Sequence, residues 1–300
     1  MAARAPAAAA LALALAAAGC GGGQAGTRTG GRGPAQLAST PRLRVVRIGS
    51  LPRPMAKAAA VALPGGRLML LGGYAGGASL AAVLAGPPRR LRPIGRLPQP
   101  THDAAAVAVG GAVYLFGGGQ SSSWPNVVRV DPRTGAAREA PPLDEPLSDL
   151  GAVAIRGHAY LAGGYTGTEF ATAILRYLPG GGTRTVARLP QGTRYAGVAA
   201  IGSTIYVAGG LTPAGATRAV YAISLGGSVR RVATLPAPED HAALAPLGDT
   251  LYLVGGRRVL AIEPASGKVV VAARLPASLT DPTATPLGNG IVVAGGGTDG

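Results

Sequence analysis

Six residues able to carry charge or exchange a proton recur at one phase of this chain: Lys57, Asp103, Asp149, Tyr195, His241 and Asp281. Each stands six positions after a leucine that marks a repeating unit, namely Leu51, Leu97, Leu143, Leu189, Leu235 and Leu275. The residues just before them include His102, Ser148, Arg194 and Asp240. Brought to one place, such groups can hold a polar ligand, or trade protons at a carbon such as the anomeric centre of a sugar. Taken singly, Asp and Ser in turns commonly do no more than cap their own backbone. Their repetition at one phase points instead to a ligand-binding mouth with Lys57, His102, Asp103, Asp149, Arg194, Tyr195, Asp240, His241 and Asp281 as its candidates. Trp124, the single tryptophan, sits in the serine-rich loop Ser121–Pro125 and is the candidate contact aromatic for a sugar or protein. No catalytic motif accompanies these residues, and no cofactor or metal site is expected. The GGG and GxG strings open no helix, so they offer no phosphate cradle.

The elements that must carry these residues repeat as a phrase. AVAVGGAVYLFGG from Ala106 returns as AVAIRGHAYLAGG from Ala152, VAAIGSTIYVAGG from Val198 and ALAPLGDTLYLVGG from Ala243, with looser copies from Ala60 and Thr283. The six glycine pairs begin at Gly72, Gly117, Gly163, Gly209, Gly255 and Gly295, in steps of 45, 46, 46, 46 and 40 residues. A fixed period of that length signals a propeller or solenoid. Each unit reads as four short strands: a small apolar run, a bulkier strand ending in the glycine pair, a third strand closed by a turn such as Asp131–Gly135, and a fourth before the next Leu-Pro. No sustained helical period occurs after residue 20, so the chain is expected to be all-β.

The glycine pairs, the tyrosines three positions before them (Tyr114, Tyr160, Tyr206 and Tyr252) and the Asp131-Pro132 turn make the pattern resemble the kelch repeat. Unlike that family, the fourth strand carries Arg, Val or Ala where tryptophan is usual. The resemblance covers about residues 30–300 and implies a six-bladed β-propeller of four-stranded blades, with the site-bearing loops gathered on one face. Some six-bladed kelch proteins act as sugar mutarotases, a role open to His102, Asp103, Arg194, Asp240 and His241. The copper oxidases of the family need a propeller cysteine, and the only cysteine is Cys20.

The chain ends add three expectations. Arg4 followed by Ala5–Ala18 reads as an export signal, residues 1–19, too short for a comfortable membrane span. Ala16–Cys20 resembles a bacterial lipobox, which makes Cys20 the expected lipidation site, and 20–33 a flexible tether. The propeller is then 34–300. Because the last unit stops after its second strand, the ring is expected to close with Gln36–Ser39 and Leu43–Ile48 as its missing strands.

The chain has 300 residues, 47% hydrophobic and 14% charged, with a net charge of +15. That hydrophobic content suits a folded domain. Arginines concentrate near the fourth strands, where charge discourages edge-to-edge pairing and can attract anionic lipid or wall polymer. Nucleic acid is not expected as a partner, for want of interleaved aromatics. The expected function is a non-catalytic, envelope-anchored binding module that recognises a protein or glycan through the loop face, membrane-bound by its lipid or in the periplasm. The alternatives are a carbohydrate-active enzyme of the mutarotase or epimerase type and a purely structural envelope protein.

Overall fold

Apolar alternation and tight turns build each unit. In the computed structural model, which describes residues 12–17 and 43–297, Ala59–Leu63 alternates buried and half-buried positions, whereas Ala112–Phe116 and Gly290–Ala294 are buried on nearly every residue. The first kind lines the ring centre and the second is packed on both faces. Every regular element among the described residues is a strand, and the chain is an all-β propeller.

The sheets follow the repeats in order. The first runs outward from Ala59–Leu63 through Arg67–Leu71 and Ala78–Gly86 to Arg92–Thr101, with the short Tyr74–Ala75 also pairing the third of these. The second comprises Ala105–Val109, Ala112–Phe116, Val127–Val130 and Ala137–Ala140. Gly151–Ile155, His158–Ala162, Ala173–Tyr177 and Thr183–Arg188 form the third, and Gly197–Ile201, Thr204–Ala208, Ala219–Ser224 and Val229–Thr234 the fourth. A fifth sheet has only Ala243–Leu247, Thr250–Glu263 and Lys268–Leu279. The last joins Thr283–Leu287 and Gly290–Ala294 to Ala12–Ala17 and Leu43–Gly49.

Two expectations are corrected here. The propeller has five complete blades of four or more strands, not six; the fifth repeat contributes a three-stranded sheet. Its unit is six residues short, so no loop separates the second strand from the third. Thr250–Glu263 instead pairs the innermost strand through Thr250–Val254 and the outermost through Gly256–Glu263. The closing sheet does take two strands from each end of the chain, but its third strand is Ala12–Ala17, not Gln36–Ser39. The alternating Leu and Ala of 12–17 suit a strand flanked on both sides better than Gln-Leu-Ala-Ser does. Gln36–Ser39, Cys20 and the tether lie outside the described residues.

Cores form between neighbouring sheets. Met69, Val83, Val113 and Leu115 fill the wedge between the first and second, and Leu68, Leu70, Leu84 and Val292 that between the last and the first. Each such buried side chain contributes about 1.5–3 kcal/mol. Toward the axis there is room only for small residues. A Cβ added at Gly197 would lie 2.8 Å from the Cβ of Leu244, and one at Gly151 would collide with Val198, both on the next innermost strand.

Candidate functional site

The six phased residues head the loops that enter the innermost strands, and one hydrogen-bonded ring ties them together. Asp103 N donates to Lys57 O at 3.2 Å, Asp149 N to Asp103 O at 2.8 Å, and Tyr195 N to Asp149 O at 3.0 Å. His241 N then donates to Tyr195 O at 3.1 Å, Asp281 N to His241 O at 3.0 Å, and Lys57 N to Asp281 O at 3.2 Å. To direct each N–H at the preceding unit, all six adopt left-handed backbone, with φ between 53° and 59°. For a side chain other than Gly, Asn or Asp that conformation costs about 1–2 kcal/mol. The preceding residues are held too: His102 bridges Gly119, Ser148 bridges Tyr165, and Arg194 bridges Leu211.

The ring opens into a cavity of about 400 Å³ lined by Lys57, His102, Asp103, Gln120, Ser121–Ser123, Ser148, Asp149, Tyr165, Arg194 and Tyr195. Beside it, a second of about 120 Å³ shares Lys57, Asp103, Asp149 and Tyr195 and adds His241 and Asp281. Charges alternate across the floor. Lys57 Nζ lies 3.0 Å from Asp103 Oδ2, and Arg194 Nη2 lies 2.7 Å from Asp149 Oδ2. The Arg194 guanidinium stacks 4.4 Å from the Tyr195 ring centre and 4.5 Å from that of Tyr165, and it donates to Tyr195 Oη at 2.6 Å. Tyr195 in turn stacks on His241 with ring centres 3.9 Å apart. Hydroxyls complete the wall: Ser148 donates to Asp149 at 3.1 Å and meets Ser123 at 3.0 Å, while Ser79 lies 2.9 Å from His102 Nδ1.

Crowding buried charges perturbs them in one pattern. Burial, and then the neighbouring Asp103, push Asp149 up to about 6 against the pull of Arg194. Burial also raises Asp103 despite Lys57, and Asp281 despite His241 and Lys57. Burial and then Lys57 lower His102, and burial lifts the Tyr195 phenol to about 12. Burial opposes the Lys57 charge, but Asp103 and Asp281 outweigh it and its pKa is raised. The floor therefore offers a fixed ammonium and guanidinium together with a carboxyl able to gain or lose a proton near neutrality.

Eight of the ten spacing-derived candidates line these two cavities. Asp240 lines neither, standing behind the ring with Oδ1 3.4 Å from His241 Nδ1. Trp124 lines neither cavity; it lies in a separate crevice with Pro98, Gln99, Leu115, Asn126 and Glu139. Its backbone donates to Gly118 O at 2.8 Å and accepts from Leu147 N at 3.1 Å. Reasoning from phase missed Ser79, and also Tyr74, whose ring packs 5.0 Å from that of His102. Both sit on the excursion after the first glycine pair, whose counterparts carry Gly119, Tyr165 and Leu211 at the position of Tyr74; the position recurs but the residue type does not. Among the described residues no group of His, Cys, Asp and Glu could hold a metal ion.

Fold and site together define a β-propeller with a polar, internally paired mouth. The chain is similar to the solved structure of YjhT, with 16% identity and a TM-score of 0.72 over 83% of this chain and 92% of that one. At that identity the likeness establishes the fold. No protein-family model matches the sequence, and no curated protein matches it.

Proposed function

We propose that the protein is a binding module that takes a glycan or another small polyhydroxylated ligand into the mouth of a kelch-like ring, the three-stranded sheet serving as its sixth blade. One observation carries this reading: Lys57, Tyr195 and His241 occupy left-handed backbone that glycine or asparagine would adopt without strain. Large functional side chains kept at strained positions around a polar cavity favour a use for those side chains. Arg194, stacked against Tyr165 and Tyr195, is pre-set to donate to ligand hydroxyls or oxygens with little further loss of rotamer freedom. A glycan array probed with the whole protein and with Arg194→Ala tests this. Saturable binding by the protein that the variant loses is expected; equal signals from both would refute it.

A second reading is favoured by Asp149, a buried carboxyl pushed up to about 6 in the wall of the cavity, which suits acid–base exchange on a sugar of the mutarotase or epimerase type. Polarimetry on a panel of free sugars decides it. Acceleration over the spontaneous rate, lost in Asp149→Asn, is the expected result, and no acceleration on any sugar refutes it.

We further propose that the chain is exported and anchored through lipid on Cys20. Cleavage before Cys20 would remove Ala12–Ala17 from the closing sheet.

A further inference from the structure

The positive charge of this chain is not spread around the ring. All thirteen Asp and Glu lie beyond residue 102, whereas 13 of the 28 Lys and Arg lie before residue 103. The remainder, with 15 basic and 13 acidic residues, is nearly neutral. Of the basic residues from 43 to 102, Arg44, Arg47, Arg53, Arg89, Arg90, Arg92 and Arg96 are exposed. Among the described residues none of these seven makes an ion pair.

The fold brings five of them to one sector. Arg44 and Arg47 lie on Leu43–Gly49, the outermost strand of the closing sheet, and Arg89, Arg90 and Arg92 lie at the turn between the two outer strands of the first sheet. These elements touch. A Cβ at Gly49 would stand 3.2 Å from Arg89 O, and Ile48 and Leu51 share a core with Leu84 and Leu91. Val46, between the two arginines of the strand, is 38% exposed.

We propose that this arginine-rich sector is a docking surface for an anionic lipid bilayer. Unpaired arginines with an exposed valine among them match a headgroup layer, which rewards clustered cations and tolerates a shallow apolar contact. A nucleic-acid surface would also present aromatics for base stacking, and the exposed Tyr74 belongs to the mouth beside His102. The preference for a bilayer over a soluble polyanion rests on the proposed anchoring at Cys20. In a chain cleaved before Cys20 the first described residue is Leu43, inside this sector, so an anchor at Cys20 would present the sector to the membrane. A single acyl chain holds a protein only marginally, and a polybasic patch supplies the second attachment.

The test is co-sedimentation of the full chain with vesicles of phosphatidylcholine alone or with 30% phosphatidylglycerol, at low salt and at about 1 M salt, where the screening length shrinks to about 3 Å. Two matched variants, each removing four exposed arginines, accompany it. One is Arg44→Gln, Arg47→Gln, Arg89→Gln and Arg90→Gln; the other is Arg184→Gln, Arg188→Gln, Arg230→Gln and Arg231→Gln, on the third and fourth sheets. Each sector arginine is worth about fivefold in affinity. The first variant is therefore expected to lose at least about a hundredfold, and the second less than about tenfold, with unchanged thermal unfolding in both. Binding of the protein only to anionic vesicles, abolished by salt, completes the expected pattern. Equal losses in the two variants would make the effect diffuse net charge and overturn the proposal. Equal binding to neutral vesicles would overturn it in favour of insertion by the N-terminal segment. Tighter binding to dextran sulfate or single-stranded DNA than to vesicles would reassign the surface to a polymer. A Cys20→Ala variant separates the two readings: absence of lipid labelling in the natural chain defeats the anchor alone, whereas salt-insensitive vesicle binding by the Cys20→Ala variant defeats the sector alone.

Discussion

Replacing Asp149 by Asn alters how stability depends on pH in a direction opposite to ordinary acid denaturation. The Asp149 side chain is 2% exposed, and its pKa is pushed up from 3.8 to about 6. Between those values the folded chain holds a proton that the unfolded chain has released, so folding is favoured at the lower pH and loses that advantage as pH rises through about 6. The full difference is about 3 kcal/mol, of which about 2 kcal/mol falls between pH 4.5 and 7. Asn keeps the shape, tolerates left-handed backbone and still accepts from Arg194, but it does not titrate. Urea unfolding of both proteins at intervals from pH 4.5 to 7.5 measures the effect. Relative to the variant, the natural chain should lose about 2 kcal/mol across that range. Parallel pH profiles would refute the argument that burial has raised the Asp149 carboxyl at the floor.

Other substitutions probe the scaffold, the ring and the chain end. Leu115→Ala, in the wedge between the first two sheets where Leu115 is 1% exposed, should cost about 2–5 kcal/mol in denaturant unfolding. Tyr195→Gly releases about 1–2 kcal/mol of left-handed strain and forfeits about 0.5–1.5 kcal/mol of stacking on His241. Its stability should stay within about 1 kcal/mol of the natural chain while glycan binding is lost; a large fall in thermal midpoint would make Tyr195 a structural residue. Cys20→Ala should abolish incorporation of labelled fatty acid during expression in a bacterial host, and unlabelled natural chain would remove the lipid-anchor proposal.

The repeat, the all-β class and the phase of the mouth residues were legible because each unit must solve the same packing problem. Tyr160 and Tyr252 face the wedges between sheets, Gly151 and Gly197 the crowded axis, and both constraints recur at a fixed spacing. The same phase marked Lys57, Asp103, Asp149, Tyr195, His241 and Asp281, since one loop geometry serves all six units. Only the tertiary structure decided which neighbours those residues meet. The pairing of Arg194 with Asp149, the Tyr195 stack on His241 and the inward reach of Ser79 depend on contacts between units, which carry no local signal. Trp124 reads as a contact residue by type and lies in a crevice apart from the two cavities of the mouth. The three-stranded fifth sheet and the strand at Ala12–Ala17 depend on which backbone edges pair across the fold, which no local pattern reports. Spacing along a chain reports constraints that repeat within it, while a site is made by side chains that the closing of the ring brings together.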